Sequence, residues 1–252
     1  MWQGNSRASV ESAVSPRPVG EGRNISPSTH MESTRGELGQ GLYSLQELRT
    51  YVGYHGTRKD ARRVPMWLTE VLNPVKHKSR QPDYSFSDLI SLFVVLELRK
   101  RGVPANRIRD AEDHLRRKWS TDRPFVSEQI ATDGRHVYSG EELVSEQPAQ
   151  IESASLQGQQ TMLVPIRDEL TTVRYVDGEA HLWQPSAYVV LDPDRQFGEP
   201  VIVGTRVPVA TIAAASRNRP ANEVAATYGI ETTAARAAVQ FQRELDAIRV
   251  AT

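Results

Sequence analysis

The chain has 252 residues, with 31 Lys and Arg against 31 Asp and Glu, six His and no Cys, so its formal charge at pH 7 is zero. The absence of cysteine excludes a disulfide framework, a thiolate nucleophile, an iron–sulfur cluster and a cysteine-based zinc finger. No apolar run approaches the roughly 20 residues of a membrane span, and the N-terminus lacks the basic-then-apolar pattern of a signal peptide, so a cytoplasmic protein with no membrane contact is expected.

The neutral total hides an asymmetry. Residues 42–120 carry 16 Lys and Arg against 9 Asp and Glu, a net +7, while residues 121–252 carry 11 against 18, a net −7. A basic part and an acidic part in one chain suit a polyanion at one end and a protein partner at the other. Residues 1–41 balance at four and four and are rich in Ser, Gly, Pro and Arg. They have too few apolar residues to offset the entropy of ordering, so a disordered tail is expected, with Met31 a second candidate translation start.

The first predicted element is a helix from Tyr43 to Val52, with Ser44 as N-cap and Glu47 completing a capping box. Gly53 and Gly56 are expected to bracket a turn. Arg58, Lys59, Arg62 and Arg63 then lead into a second helix at Pro65–Leu72, where Pro65 suits the first turn. Lys76, Lys78 and Arg80 lie in a proline-bounded segment that reads as an exposed wing. A third helix starts at the Ser85/Asp88 capping pair and ends at Arg99-Lys100-Arg101-Gly102; apolar residues surround it, which requires burial in a core or a dimer. Pro104 opens a fourth, with Ile108, Ala111, Leu115 and Trp119 on one stripe.

Past Trp119 the period changes. Two β-hairpins are predicted, one joining Pro124–Ile130 to His136–Tyr138, the other joining Thr171–Val176 to Glu179–Trp183 through Asp177-Gly178, pairing Tyr175 with Ala180 and Val173 with Leu182. Glu141–Gly158 reads as a linker or long loop. From Tyr188 the pattern gives a strand, a turn and a short strand, then an Ala-rich helix over Val209–Ser216 and two helices between Asn222 and Ile248 parted at Gly229. A helix-turn-helix centred on Gly229 places small or apolar residues at Val224, Ala225, Tyr228, Ile230, Ala235 and Ala238.

The chemistry of known catalytic motifs is missing: the chain contains no Gly-rich phosphate loop, HExxH or GxSxG. The six His are at no metal-ligand spacing, and the calcium-like start at Asp192 and Asp194 has Val203 at the twelfth position, where a bidentate carboxylate is needed. No enzyme activity, cofactor or metal is expected. Two cation clusters, Arg58, Lys59, Arg62 and Arg63, then Lys76, Lys78 and Arg80, flank one helix and suit the phosphates of double-stranded DNA.

Two families are resembled. Tyr43-Ser44-Leu45 to Leu48, Trp67-Leu68, Tyr84 to Leu89, Leu98 to Val103 and Ile108-Arg109 look like a MerR-type winged helix-turn-helix domain, although extra residues between Gly53 and Pro65 depart from its tight turn. Asp192-Pro193, Gly198-Glu199-Pro200-Val201-Ile202 and Gly204-Thr205-Arg206-Val207-Pro208, with the helices to Phe241, are similar to domain-of-unknown-function family 433. In that run Gly198 and Gly204 permit positive φ, Pro208 suits a helix start, and Arg206 has two open readings, bracing the hairpin against a carboxylate or helix end, or reaching into a partner.

The second family is known mainly as VapB-type antitoxins. The combination implies a mainly α fold with small β-hairpins. It divides into a tail (1–41), a MerR-like DNA-binding domain (42–120), a hairpin-containing connection (121–187) and a C-terminal antitoxin-type domain (188–252). It also implies a homodimeric antitoxin that neutralises a PIN-domain ribonuclease toxin and represses its own operon. The alternative is a stand-alone MerR-like regulator with a sensing or dimerising C-terminal domain.

Overall fold

The computed structural model describes residues 41–72, 84–140, 142–144 and 163–251. The expectations for the tail to residue 40, for the whole wing with Lys76, Lys78 and Arg80, and for most of the 141–158 linker fall outside these residues. The described chain is a mixture of helices and two four-stranded antiparallel sheets.

Helix α1 spans Leu45–His55. Its start follows the expected capping box: the Ser44 hydroxyl accepts from the Glu47 N–H at 3.2 Å, and the Glu47 carboxylate accepts from the Ser44 N–H at 2.8 Å. Leu48, Tyr51 and Val52 face the core. The expected turn at Gly53 is not formed: the helix runs through it and ends at Gly56, whose N–H donates to the Val52 carbonyl. Gly53 is there for space, because a β-carbon on it would lie 2.7 Å from Ile248 Cγ2 and 3.1 Å from Ala61 Cβ.

The second helix is also not one element. A short α2 (Arg58–Ala61), capped by Thr57 and Asp60, is followed by α3 (Val64–Met66) and a π turn over Trp67–Val71. Pro65 sits in the first turn of α3 as expected, where it forfeits no hydrogen bond. The π turn, closed by Leu72 N–H to Trp67 carbonyl at 2.8 Å, buries Trp67, Leu68, Val71 and Leu72 together. Paired hydrogen bonds of 2.8 Å between Tyr43 and Tyr84 clip the two flanks of this unit to each other.

Helix α4 (Phe86–Lys100) is the central element, buried on all sides by this chain's own core, so no dimer is needed to cover it. Its capping residue Asp88 is itself buried and accepts from Arg123 Nε at 2.5 Å, while Arg123 Nη1 lies 3.6 Å from the buried Glu112 carboxylate. One guanidinium thus faces two carboxylates, and removing Arg123 would strand both buried acids. Helix α5 (Ala105–Trp119) starts after Pro104, buries Ile108, Ala111 and Leu115 as expected, and is tied to the π turn by Arg109 Nε donating to the Glu70 carbonyl.

In the first sheet, β1 (Ile130–Thr132) pairs with β2 (Val137–Ser139) and with β4 (Val164–Pro165), and β3 (Glu142–Leu143) extends β2. The predicted hairpin exists but is shorter, because Pro124–Val126 forms a 3-10 turn where a strand was expected. The Asp133 carboxylate holds the loop by accepting from the backbone N–H groups of Arg135 and His136, both at 2.7 Å.

The second sheet is a meander of β5 (Val173–Val176), β6 (Glu179–Ser186), β7 (Val189–Leu191) and β8 (Val201–Ile202). Asp177 and Gly178, both with positive φ, form the expected two-residue turn, and Tyr175 pairs with Ala180. The pairing of Val173 with Leu182 is corrected: an irregularity between Arg174 and Tyr175 shifts the register, so Val173 faces Trp183. Trp183 is thereby buried among Tyr51, Tyr54 and Phe93, with ring centroids at 5.8, 6.0 and 4.9 Å.

Three helices follow: α6 (Val209–Ala215), α7 (Ala221–Tyr228) and α8 (Thr232–Arg249). Gly229 separates the last two in the left-handed region, φ +64°, as the turn there requires. Val224, Ala225, Ala235 and Ala238 are buried as expected, but Tyr228 faces solvent. The buried stripe of α8 continues through Phe241, Leu245 and Ile248 onto α1, where Tyr54 meets Phe241 edge to face at 4.9 Å. A single hydrophobic cluster therefore runs from Tyr43 to Leu245, through the three segments 42–120, 121–187 and 188–252 that the sequence separated. Among the described residues, no helix is long and apolar enough to cross a membrane.

Candidate functional site

Arg58, Lys59, Arg62 and Arg63 come together on one exposed ridge between α1 and the π turn. The ridge exists because Ala61 and Val64 anchor the segment in the core while the Thr57/Asp60 capping box starts it, leaving the intervening long side chains outward. Two of the four have intramolecular partners: Arg63 Nη1 lies 3.8 Å from Asp60, and Arg62 Nη2 donates to the Ala251 carbonyl at 3.0 Å. An exposed ion pair such as Arg63–Asp60 contributes little to stability. The C-terminal end of the chain thus touches the basic ridge, and α8 adds Glu244 to the open recess shared with Arg58, Gly53, Tyr54 and Ile248.

The Gly198–Pro208 run forms a compact turn. Gly198 and Gly204 hold φ of +82° and +77°, Pro200 accepts through its carbonyl from the Val209 N–H at 2.9 Å, and the Thr205 hydroxyl bridges the Ile202 carbonyl (2.9 Å) and the Val207 N–H (3.0 Å). Pro208 caps α6. Five of the six motif residues are thus engaged in shaping the turn. Arg206 differs: it is exposed, and its side chain forms no ion pair with a carboxylate among the described residues. Beside this turn, Tyr188, Ile202, Val203, Ile230 and Ala234 line a recess of about 270 Å³.

Two groupings were not visible in the sequence. His181 on β6 meets Asp192 and Asp194 after β7, with donor atoms within 4.8 Å of one another. Asp192 is already engaged there, accepting from the Asp194 N–H at 3.0 Å and pairing with Arg195 Nε at 2.9 Å, so the cluster braces its own loop. The second grouping joins Leu42 and Phe197, both largely exposed, through a hydrogen bond from the Leu42 N–H to the Phe197 carbonyl at 3.0 Å. Isolated apolar residues in two loops 155 positions apart give no periodic signal.

Compared with known proteins, residues 189–241 match the model of a family described as protein of unknown function (DUF433). No curated protein matches the chain significantly. Among solved structures, an X-ray crystal structure of Rv2018 from Mycobacterium tuberculosis is similar, with a TM-score of 0.56 and 22% identity over 79% of this chain and 97% of that one. This likeness concerns the fold.

Proposed function

We propose that the protein is the antitoxin of a two-component toxin–antitoxin pair, a homodimer that binds the DNA of its own operon and neutralises a PIN-domain ribonuclease in the cytoplasm. The reading takes the order of α1, the basic ridge, the π turn, α4 and α5 as the helical part of a MerR-like domain, and residues 189–241, which match a family of unknown function, as the part that meets the toxin. The observation that carries the reading is the convergence of Arg58, Lys59, Arg62 and Arg63 on one exposed ridge at the start of the segment assigned to DNA reading. Such a ridge is suited to duplex phosphates, with a second copy doubling the phosphates engaged on a twofold operator. The exposed Arg206 faces outward on the C-terminal part, available to the toxin.

The test is the affinity of the full chain for the DNA upstream of its own operon. Reversing Arg62 and Arg63 to Glu is expected to weaken binding to all sequences and to flatten the dependence of log K on log salt by about 0.9 for each phosphate no longer neutralised. Unchanged affinity and slope would remove the ridge from the interface. The recess at Tyr188 and Ile230 favours a second reading, a stand-alone regulator that senses a small apolar molecule there. That reading calls for no ribonuclease in the neighbouring gene.

A further inference from the structure

Asp192 and Asp194 start like a calcium loop but lack the carboxylate that such a loop needs at its twelfth position. In the folded chain a third donor comes from another strand instead. His181 of β6 meets both aspartates, with one donor atom from each of the three side chains within 4.8 Å of the others. The register of the sheet brings it there. Arg174 pairs with Leu182 and Tyr175 with Ala180, so the pairing passes over His181 and makes it the extra residue of a β-bulge. A bulge re-aims the side chain it carries, and here the imidazole meets the segment that follows β7.

The three donors are held differently. Asp192 is 6% exposed and fixed: one carboxylate oxygen accepts from the Asp194 N–H at 3.0 Å, and the other pairs with Arg195 Nε at 2.9 Å. The His181 imidazole and the Asp194 carboxylate make no hydrogen bond or ion pair among the described residues. Arg195 therefore balances one of two negative charges, and Arg206 on the next turn pairs with neither carboxylate. The Arg195 side chain is 42% exposed, and a pair held by so exposed a cation contributes little, so a divalent ion can take its place at small cost.

We propose that His181, Asp192 and Asp194 bind one Zn²⁺ ion, which displaces Arg195 from Asp192. One imidazole nitrogen with two carboxylate oxygens suits a borderline divalent ion, whereas Mg²⁺ and Ca²⁺ take oxygens alone. Zn²⁺ holds such donors at about 2.0–2.2 Å, which sets them roughly 3–4 Å from one another. Closing the observed spread requires a shift of about 1 Å, within the reach of the two unpartnered side chains. Three protein donors leave at least one position for water. The ion ties the bulge of β6 to the loop that leads into the Gly-x-Pro turn, and its binding requires neither DNA nor a toxin.

The experiment titrates Zn²⁺ into the chelator-stripped full chain by calorimetry, beside His181→Ala, Asp194→Asn and Arg195→Gln, and melts each protein with and without the ion. One ion per chain is expected, bound at least ~10-fold more weakly by His181→Ala and by Asp194→Asn. Arg195→Gln is expected to bind more tightly, because a positive charge beside the site is gone. Zn²⁺ at ~100 times its dissociation constant should raise the wild-type melting temperature by about 5–10 °C, and Mg²⁺ should not. The exchanged side chains of His181 and Asp194 have no partners to lose, so without metal these two variants should melt like wild type. No Zn²⁺ binding by the unaltered chain, wild-type affinity in His181→Ala or Asp194→Asn, weaker binding by Arg195→Gln, or an equal shift with Mg²⁺ would each overturn the site.

Discussion

The phenol of Tyr43 donates a buried hydrogen bond of 3.0 Å to the carbonyl of Gly198, joining residues 155 positions apart. Tyr43 begins the unit that carries the basic ridge, and Gly198 begins the Gly-x-Pro turn, so one bond connects the two surfaces on which the proposed function depends. Burial first, then the neighbouring Tyr51, Glu47 and Asp192, push the Tyr43 phenol well above its ordinary value, so it remains a donor at every working pH.

Replacing Gly198 by Ala places a β-carbon 2.2 Å from the Tyr43 hydroxyl oxygen at a φ of +82°. Overpacking and the left-handed backbone together are expected to cost about 3 kcal/mol, and Tyr43→Phe, which removes only the hydrogen bond, about 1–2 kcal/mol. Thermal melting checks both: about 2–4 °C per kcal/mol is expected for a chain of this size. Equal melting of Gly198→Ala and wild type would refute the close approach.

Gly53→Ala sets helix propensity against packing. Alanine in a helix interior is favoured by about 1 kcal/mol, yet a β-carbon 2.7 Å from Ile248 Cγ2 forces α1 and α8 apart. A net loss of about 1 kcal/mol is expected. In an Ile248→Ala background the same substitution should become neutral or stabilising, and a double-mutant cycle in denaturant measures the coupling. Simple additivity would argue against the close packing of the two helices.

The Glu97 carboxylate is buried, with His55 Nε2 at 3.2 Å and Lys100 Nζ at 2.7 Å from the same oxygen. Burial pushes its titration upward, but the hydrogen bonds and charges of His55 and Lys100 outweigh this and hold it below the usual 4.5. Because the folded value is depressed, the stabilisation is complete above pH 4.5 and is lost as the pH falls through the lower folded value. Glu97→Gln is therefore expected to cost about 1–2 kcal/mol near neutral pH. Its deficit against wild type should shrink as the pH is lowered below 4.5, and a deficit that grew with acid would contradict the sign.

Elements governed by neighbouring residues were legible before any coordinates. Ser44 with Glu47 and Ser85 with Asp88 announce helix starts because capping is settled within four residues, and Asp177-Gly178 announces its hairpin because positive φ is a local demand. The basic ridge was legible for the same reason, its four cations lying within six positions of one another. The Gly-Thr-Arg turn was legible as a shape, and Arg206 stands exposed on it without a carboxylate partner among the described residues.

What the sequence by itself determined is thus the local grammar: caps, turns, the left-handed glycines, the all-round apolar character of α4 and the apolar stripe of α5. Only the tertiary structure decided that Gly53 serves helix packing rather than a turn, that a register shift sends Trp183 inward, and that Phe197 stands exposed beside Leu42. It also decided that α8 closes on α1, so that the basic and acidic parts share one core. The physical reason is that these outcomes are set by interactions between residues distant in the chain. Periodicity within a window marks a face as apolar but carries no information about which other face will cover it.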